Sequence, residues 1–261
     1  MRNIPEFNIR YDKEYTPILK AAEIDNHASI FLQEYSKKHP EYSMFIPQAT
    51  PIEKIIELEC EISMDFQSFS DKEILGMTSF SSGIINVVKD GVISPYKVDK
   101  GTIIISSELE SDEKLRGRFH YTLAHEFGHN IYHRRKFEEP DYSNELLLFE
   151  NEPKKQFAIT CHRDKIENLE YNPTKDWIEW QADYFASCFL MPKEAVAVFW
   201  KDFSKVPDFV FGEEPMPFLA NMQYNAFQVE FERFVNTFQV SKQAAKIRLE
   251  KLNYINRRNI L

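Results

Sequence analysis

The pattern of hydrophobic and polar positions predicts helices near both ends of the chain and a small sheet between them. One helix is expected around 17–37 and a second from Ile52 to about Ile62. Strand-like runs follow at 64–69, 74–80, 84–88 and 102–106, separated by turn residues such as Ser82-Gly83 and Asp90-Gly91. This order favours an α+β fold with a small, mostly antiparallel sheet that precedes a long helix.

That long helix is expected from Leu115 to His133. Its apolar positions recur three and four residues apart, so that one face is hydrophobic: Phe119, Thr122, Leu123, Phe127 and Ile131. Ser111, Asp112 and Glu113 provide a capping residue and acids at its start. Another strong helix is expected over 176–191, where Pro192 stops it or turns it into the next one. Three helices should follow and end near Asn253.

The first of these two helices carries the sequence His125-Glu126-Phe127-Gly128-His129. Positions four apart share a helix face, so His125 and His129 can bind one metal ion, while Glu126 lies beside the metal as a candidate general base. Glu179 and Asp183 share a face of the second helix. They are candidates for the third ligand and for the carboxylate that orients a histidine ligand. The alternatives are two buried core histidines and two surface acids.

These segments resemble the ImmA/IrrE family of bacterial metallo-endopeptidases, over roughly residues 50 to 255. The resembling residues are Arg118–His129, Glu179–Ala186 and Leu190–Pro192, together with 74–77, 101–105 and 240–249. Glu179 with Asp183 also resembles the third-ligand segment of the gluzincin peptidases, and Gln181 stands where many family members carry a second acid. The resemblance implies a zincin-like fold, in which a small sheet packs on a central HExxH helix, and one catalytic Zn2+ per chain.

Composition and charge narrow the function classes. Hydrophobic residues make up 43% of the chain, which indicates a folded protein, and no apolar run is long enough to span a membrane. Cys60, Cys161 and Cys188 are few, odd in number and widely spaced, which favours a reducing cytoplasm. The net charge of −9 disfavours a general nucleic-acid binder. No secretory signal is visible at the N-terminus.

Three segments are predicted: an N-terminal helical segment at 1–50, a zinc metallopeptidase domain at 51–202 and a C-terminal helical extension at 203–261. The extension suggests a helix-turn-helix with Ser241 as N-cap, and from Thr237 onward it holds six Lys or Arg against one acid. Lys242, Lys246 and Lys251 could face DNA phosphates, but a basic solvated face on a packing or dimerising helix pair is the favoured interpretation.

Two functions remain open on this pattern. The first is a peptidase that cleaves one cytosolic regulatory protein; the family resemblance implies a helix-turn-helix repressor of a mobile element or stress operon as substrate. The second is a non-catalytic regulator on the same fold that binds DNA or a repressor. An intact Glu126 favours the peptidase, since a pure binding module does not need it. His133, four residues after His129, could join the edge of the site, whereas Cys161-His162 is interpreted as a buried thiol and a loop histidine.

Overall fold

Strands and helices occupy largely separate stretches of the chain, in the α+β arrangement that the sequence predicts. The computed structural model describes residues 4–137, 158–162, 177–201 and 217–255. In chain order the strands are β1 (Arg10–Tyr11), β2 (Pro17–Ile18), β3 (Met64–Gln67), β4 (Ile74–Ser79), β5 (Gly83–Lys89), β6 (Val92–Val98), β7 (Ile103–Ser106) and β8 (Ala158–His162). The helices are α1 (Ala21–Lys38), α2 (Ile52–Lys54, continued by a π-helical turn at Ile55–Glu59), α3 (Ser107–Ser111), α4 (Arg116–Tyr132), α5 (Arg134–Phe137), α6 (Trp177–Leu190), α7 (Lys193–Trp200), α8 (Pro217–Phe238) and α9 (Lys242–Lys251).

The main sheet has four strands in the order β3-β7-β4-β8. β3 and β7 run parallel, whereas β7–β4 and β4–β8 are antiparallel, so the sheet is mostly antiparallel as predicted. Every residue of β7 is buried because this strand lies inside the sheet and is covered on both faces. The strand β8 was not predicted. His162 therefore lies on a strand paired with β4, and the interpretation of it as a loop histidine is wrong.

A second, two-stranded ribbon is formed by β5 and β6. Lys89 pairs with Val92, so Asp90 and Gly91 alone make the turn, with φ of 54° and 78°. Positive φ at both central residues defines the tight hairpin turn whose twist suits paired strands, and Asp-Gly is a preferred sequence for it. The sequence predicted this turn but not β6, because Pro95 interrupts the strand pattern there.

The helix α4 packs on the sheet through β4, β7 and β8, and on its other side against α6. Gly128 permits the close approach of α4 and α6: a methyl group there would lie 3.1 Å from Phe185 Cδ1 and 3.2 Å from Ala182 Cα. A larger residue would push the helices apart. This close packing brings side chains of α4 and α6 into contact.

The N-terminal helix begins later than predicted. Pro17 and Ile18 pair with Tyr11 and Arg10 in the small β1–β2 ribbon, and α1 starts only at Ala21. The helix then packs against α6. The predicted helix from Ile52 to Ile62 also ends early, at Glu59, and finishes in a π-helical turn.

At the C-terminal end, α8, a short turn and α9 confirm the predicted order of helix, turn and helix. Ser241 is the N-cap of α9, since its Oγ accepts a hydrogen bond from Ala244 N at 3.1 Å. One hydrophobic core runs from Leu19 to Ile255 and includes side chains from all three predicted segments. The expected strand at 146–149 lies outside the described residues. Within the described ranges, no helix combines the length and the apolar character needed to cross a bilayer.

Candidate metal centre

His125, His129 and Glu179 converge between α4 and α6. The Nε2 atoms of the two histidines lie 3.0 Å apart. His125 Nε2 is 3.4 Å from Glu179 Oε2, and His129 Nε2 is 3.5 Å from Glu179 Oε1. All three side chains are buried. The structure thus brings together the three residues that the sequence nominated as metal ligands.

These distances fit a zinc ion. Four ligands at about 2.0–2.1 Å in a tetrahedron lie roughly 3.3 Å from one another, close to the spacings of the His125, His129 and Glu179 atoms. The chemistry of the donors fits as well. If both histidines carry their proton on Nδ1, their Nε2 lone pairs face each other, and a cation between them removes the repulsion. Two imidazoles and one carboxylate are a common ligand set for a hydrolytic zinc site.

Asp183 orients His125 from behind. Its Oδ1 lies 2.8 Å from His125 Nδ1, so the carboxylate accepts the Nδ1–H and leaves Nε2 for the metal. The hydroxyl of Tyr121 in turn lies 3.2 Å from the main-chain oxygen of Asp183 and 3.4 Å from Oδ1. Asp183 therefore lies against His125, a candidate ligand, and Tyr121 is an additional contact that the sequence analysis did not identify.

His133 lies behind His129. The two Nδ1 atoms are 2.9 Å apart, and His133 Nε2 is 2.9 Å from Gln181 Oε1. Burial lowers the pKa of His133 to about 4, so this imidazole is neutral at physiological pH. His133 therefore contacts His129, a proposed metal ligand, and does not itself face the position that the metal would occupy.

Glu126 is held beside the three converging side chains by the sheet. The Thr78 hydroxyl on β4 lies 2.6 Å from Glu126 Oε2 and 2.9 Å from the Glu126 carbonyl oxygen. Among the described residues, Oε1 has no hydrogen-bond partner. Gly76 leaves the space for this carboxylate, because a methyl group there would lie 2.9 Å from Oε1. Burial raises the pKa of Glu126 to about 8, and a divalent cation alongside would favour its charged form.

Cys161 lies in the wall of the same site. Its Sγ and one ligand atom each of His125 and Glu126 lie within 4.8 Å of one another. Burial raises the pKa of the Cys161 thiol to about 11, so the group is protonated near neutral pH. His162, the next residue, bonds to the Thr160 hydroxyl at 3.0 Å. Because neighbouring side chains on a strand point to opposite faces, Cys161 and His162 do not form a pair around one ion.

The basic C-terminal residues are only partly available to a nucleic acid. Arg248 is fully buried and pairs with Asp25 at 2.8 Å, so its charge belongs to the core. Lys242 forms an ion pair with Glu232 on α8. This leaves a smaller basic face on α9 than the sequence count suggests.

Comparison with known proteins adds one finding. Residues 155–250 match the model of the IrrE N-terminal-like domain, a peptidase family. The matched segment contains Glu179 and Asp183 and extends into α9, but it begins after the His125–His129 motif. The match confirms the resemblance to the ImmA/IrrE metallopeptidases and indicates a metal cofactor. No curated protein matches the chain.

Proposed function

We propose that this protein is a zinc-dependent metallo-endopeptidase that hydrolyses one peptide bond in a cytosolic regulatory protein. The observation that carries the proposal is the convergence of His125 Nε2, His129 Nε2 and the Glu179 carboxylate at 3.0 to 3.5 Å. The peptidase family match and the packing of α4 on the sheet support it.

In this proposal His125, His129 and Glu179 hold one zinc ion per chain. Zinc in such a site polarises a carbonyl group and lowers the pKa of water to roughly 7. Asp183 keeps the Nδ1 proton on His125 and makes that imidazole a better ligand. The close contact of α4 and α6 at Gly128 keeps ligands from the two helices in register.

Glu126 is the general base of this mechanism. Its Oε2 is held by the Thr78 hydroxyl, and Oε1 accepts the proton of the attacking water. The carboxyl group then gives this proton to the amine that leaves when the peptide bond breaks, which returns Glu126 to its charged form. Burial strengthens this proton transfer because it excludes bulk water from the carboxylate.

The substrate class rests on the family resemblance. A helix-turn-helix repressor of a mobile element or stress operon is the proposed partner, cut once and not digested. A cytosolic protease without such selectivity would damage its own cell. The main alternative, a non-catalytic regulator that binds DNA or a repressor, is weakened by the burial of Arg248 and the pairing of Lys242.

Exchange of Glu126 for glutamine tests the proposal. We expect Glu126→Gln to lose peptide hydrolysis while it keeps zinc and the wild-type fold, because the residue is not a ligand. His129→Ala should lose both zinc and activity. Substrates are the repressor encoded beside the gene and an unrelated protein as the control. Normal turnover by Glu126→Gln would reject the general-base role.

A DNA-binding titration separates the two functions. Gel shifts at two salt concentrations give the slope of the logarithm of the DNA-binding constant against the logarithm of the salt concentration. This slope is about −0.9 for each phosphate that the protein neutralises. Tight, salt-sensitive binding without repressor cleavage would replace the peptidase by the regulator. Cleavage with weak DNA binding supports the peptidase.

A further inference from the structure

A continuous chain of hydrogen bonds runs from the metal centre to the N-terminal ribbon. It begins at His129 Nδ1, which lies 2.9 Å from His133 Nδ1. It continues from His133 Nε2 to Gln181 Oε1 at 2.9 Å, and from Gln181 Nε2 to the Pro17 carbonyl oxygen at 2.7 Å. All four residues are buried. The chain connects α4, α6 and β2.

The Pro17 carbonyl oxygen at the end of the chain determines which group donates in each hydrogen bond. A carbonyl oxygen cannot donate, so the Gln181 amide must present its N–H to Pro17 and its oxygen to His133. His133 must therefore carry its proton on Nε2. With that proton on Nε2, the Nδ1 atom of His133 can accept, and the 2.9 Å contact between the two Nδ1 atoms is satisfied when His129 donates its own Nδ1–H. The remaining lone pair of His129 lies on Nε2, the atom that faces His125 and Glu179.

We propose that His133 and Gln181 are positioning residues that fix the tautomer and ring orientation of His129 for metal binding. This inference rests on the proposed zinc site, and neither residue touches the metal. It assigns a role to Gln181, the neutral amide that stands where many family members carry an acid. It also makes the N-terminal ribbon part of the metal centre.

The Pro17 carbonyl is a firm anchor for this chain. It also accepts a hydrogen bond from the Trp177 indole at 3.1 Å, so two side chains of α6 fix its position. The two histidine ligands are consequently oriented by different means. A carboxylate, Asp183, orients His125, whereas His129 is oriented by a neutral relay made of His133 and Gln181. A neutral pair, His133 and Gln181, adds no further negative charge to a site that already holds the carboxylates of Glu126, Glu179 and Asp183.

The first experiment locates the protons directly. A long-range proton–nitrogen NMR spectrum of the full chain, labelled with 15N-histidine and loaded with zinc, reports which ring nitrogens are protonated. We expect His133 to be protonated on Nε2 only and His129 on Nδ1 only, with a nitrogen–nitrogen coupling across the bond between their Nδ1 atoms. A proton on His133 Nδ1 would overturn the inference. The spectrum of the metal-free chain reports the His133 tautomer even if zinc does not bind. Failure of the proposed zinc site can therefore be told apart from failure of this inference.

The second experiment measures zinc affinity by competition with a chelator. His133→Phe removes the acceptor for His129 and should weaken zinc binding about 10–100-fold. His133→Gln supplies an amide oxygen for His129 and an amide N–H for Gln181, so it should bind zinc at least about tenfold more tightly than His133→Phe. This rescue separates a relay from a merely structural role, because both variants alter the same packing.

A matched control is His120 on α4, the helix that ends at Tyr132 next to His133. His120 is also buried, but its Nδ1 lies 3.1 Å from the Gln239 carbonyl oxygen, outside the relay. His120→Phe should retain wild-type zinc affinity. Equal affinity in His133→Phe and wild type, or equally weak binding by His133→Gln and His133→Phe, would overturn the inference.

Discussion

Replacement of Arg248 by methionine is expected to destabilise the protein by about 3–5 kcal/mol, because it leaves a buried carboxylate without its counter-charge. Arg248 is fully buried on α9. Its guanidinium donates to Asp25 Oδ1 at 2.8 Å, to the Met191 carbonyl at 3.0 Å and to Cys188 Sγ at 3.3 Å. These contacts join α9 to α1 and to the end of α6, the helix that carries Glu179. Since a typical folded protein is stable by about 5–15 kcal/mol, the loss is a large fraction of the total.

The effect should also depend on pH. Burial raises the pKa of Asp25, but the charge and hydrogen bond of Arg248, together with hydrogen bonds from Cys188 and Tyr184, more than offset this, and the net pKa of the carboxyl is lowered. In the wild type this contribution to stability is present above the unfolded pKa of about 3.9 and is lost as pH falls through the folded value. In Arg248→Met the burial of Asp25 and its hydrogen bond from Tyr184 remain, but the guanidinium charge is gone, so the pKa of Asp25 should rise above its wild-type value. The stability gap between the two proteins should therefore shrink from pH 7 toward pH 4.

Urea unfolding followed by circular dichroism at both pH values measures this gap. The thermal midpoint at pH 7 should fall by roughly 6–20 °C, at about 2–4 °C for each kcal/mol. Lys242→Met is the control on the same helix, since its exposed ion pair should be worth less than about 1 kcal/mol. A loss below about 1 kcal/mol for Arg248→Met, or a gap that widens toward pH 4, would refute the reasoning.

Three further substitutions test separate contacts. Gly117→Ala should destabilise the protein by about 1–3 kcal/mol in urea unfolding, because its methyl group would lie 2.5 Å from the main-chain carbon of Val240. Thr78→Val removes the hydrogen bond that lowers the pKa of Glu126, so the acidic limb of the kcat/KM profile should move to higher pH by about 1–2 units. Asp183→Asn should weaken zinc binding about 10–100-fold in a chelator competition. An unchanged free energy of unfolding, an unchanged acidic limb or an unchanged zinc affinity would contradict the role given to the contact that each substitution alters.

The residues of the candidate metal centre could be selected from sequence because their spacing is local. His125 and His129 are one helical turn apart, and Glu179 and Asp183 are one turn apart on the second helix. Helical periodicity determines which side chains share a face, so each pair could be placed before any packing was known. Only the approach of the two helices, which brings the two pairs together, depends on tertiary structure. The family resemblance was the basis for expecting this approach.

The contacts around these residues could not be predicted in the same way. Thr78 reaches Glu126 only because α4 packs on β4. Cys161 enters the site only because β8 pairs with β4, where Cys161 lies opposite Gly76, 85 positions earlier. Such contacts depend on long-range strand pairing, which leaves no periodic signal. His133 was visible as a further histidine on the motif helix, but its role depends on Gln181.

The position of bound zinc tests the central claim most directly. Crystals of the purified full chain, measured on both sides of the zinc absorption edge, would reveal the metal as a peak in an anomalous difference map. The account predicts one zinc per chain, bonded to His125 Nε2, His129 Nε2 and the Glu179 carboxylate. A peak elsewhere, or one bonded to Cys161 or His162 in place of Glu179, would contradict it.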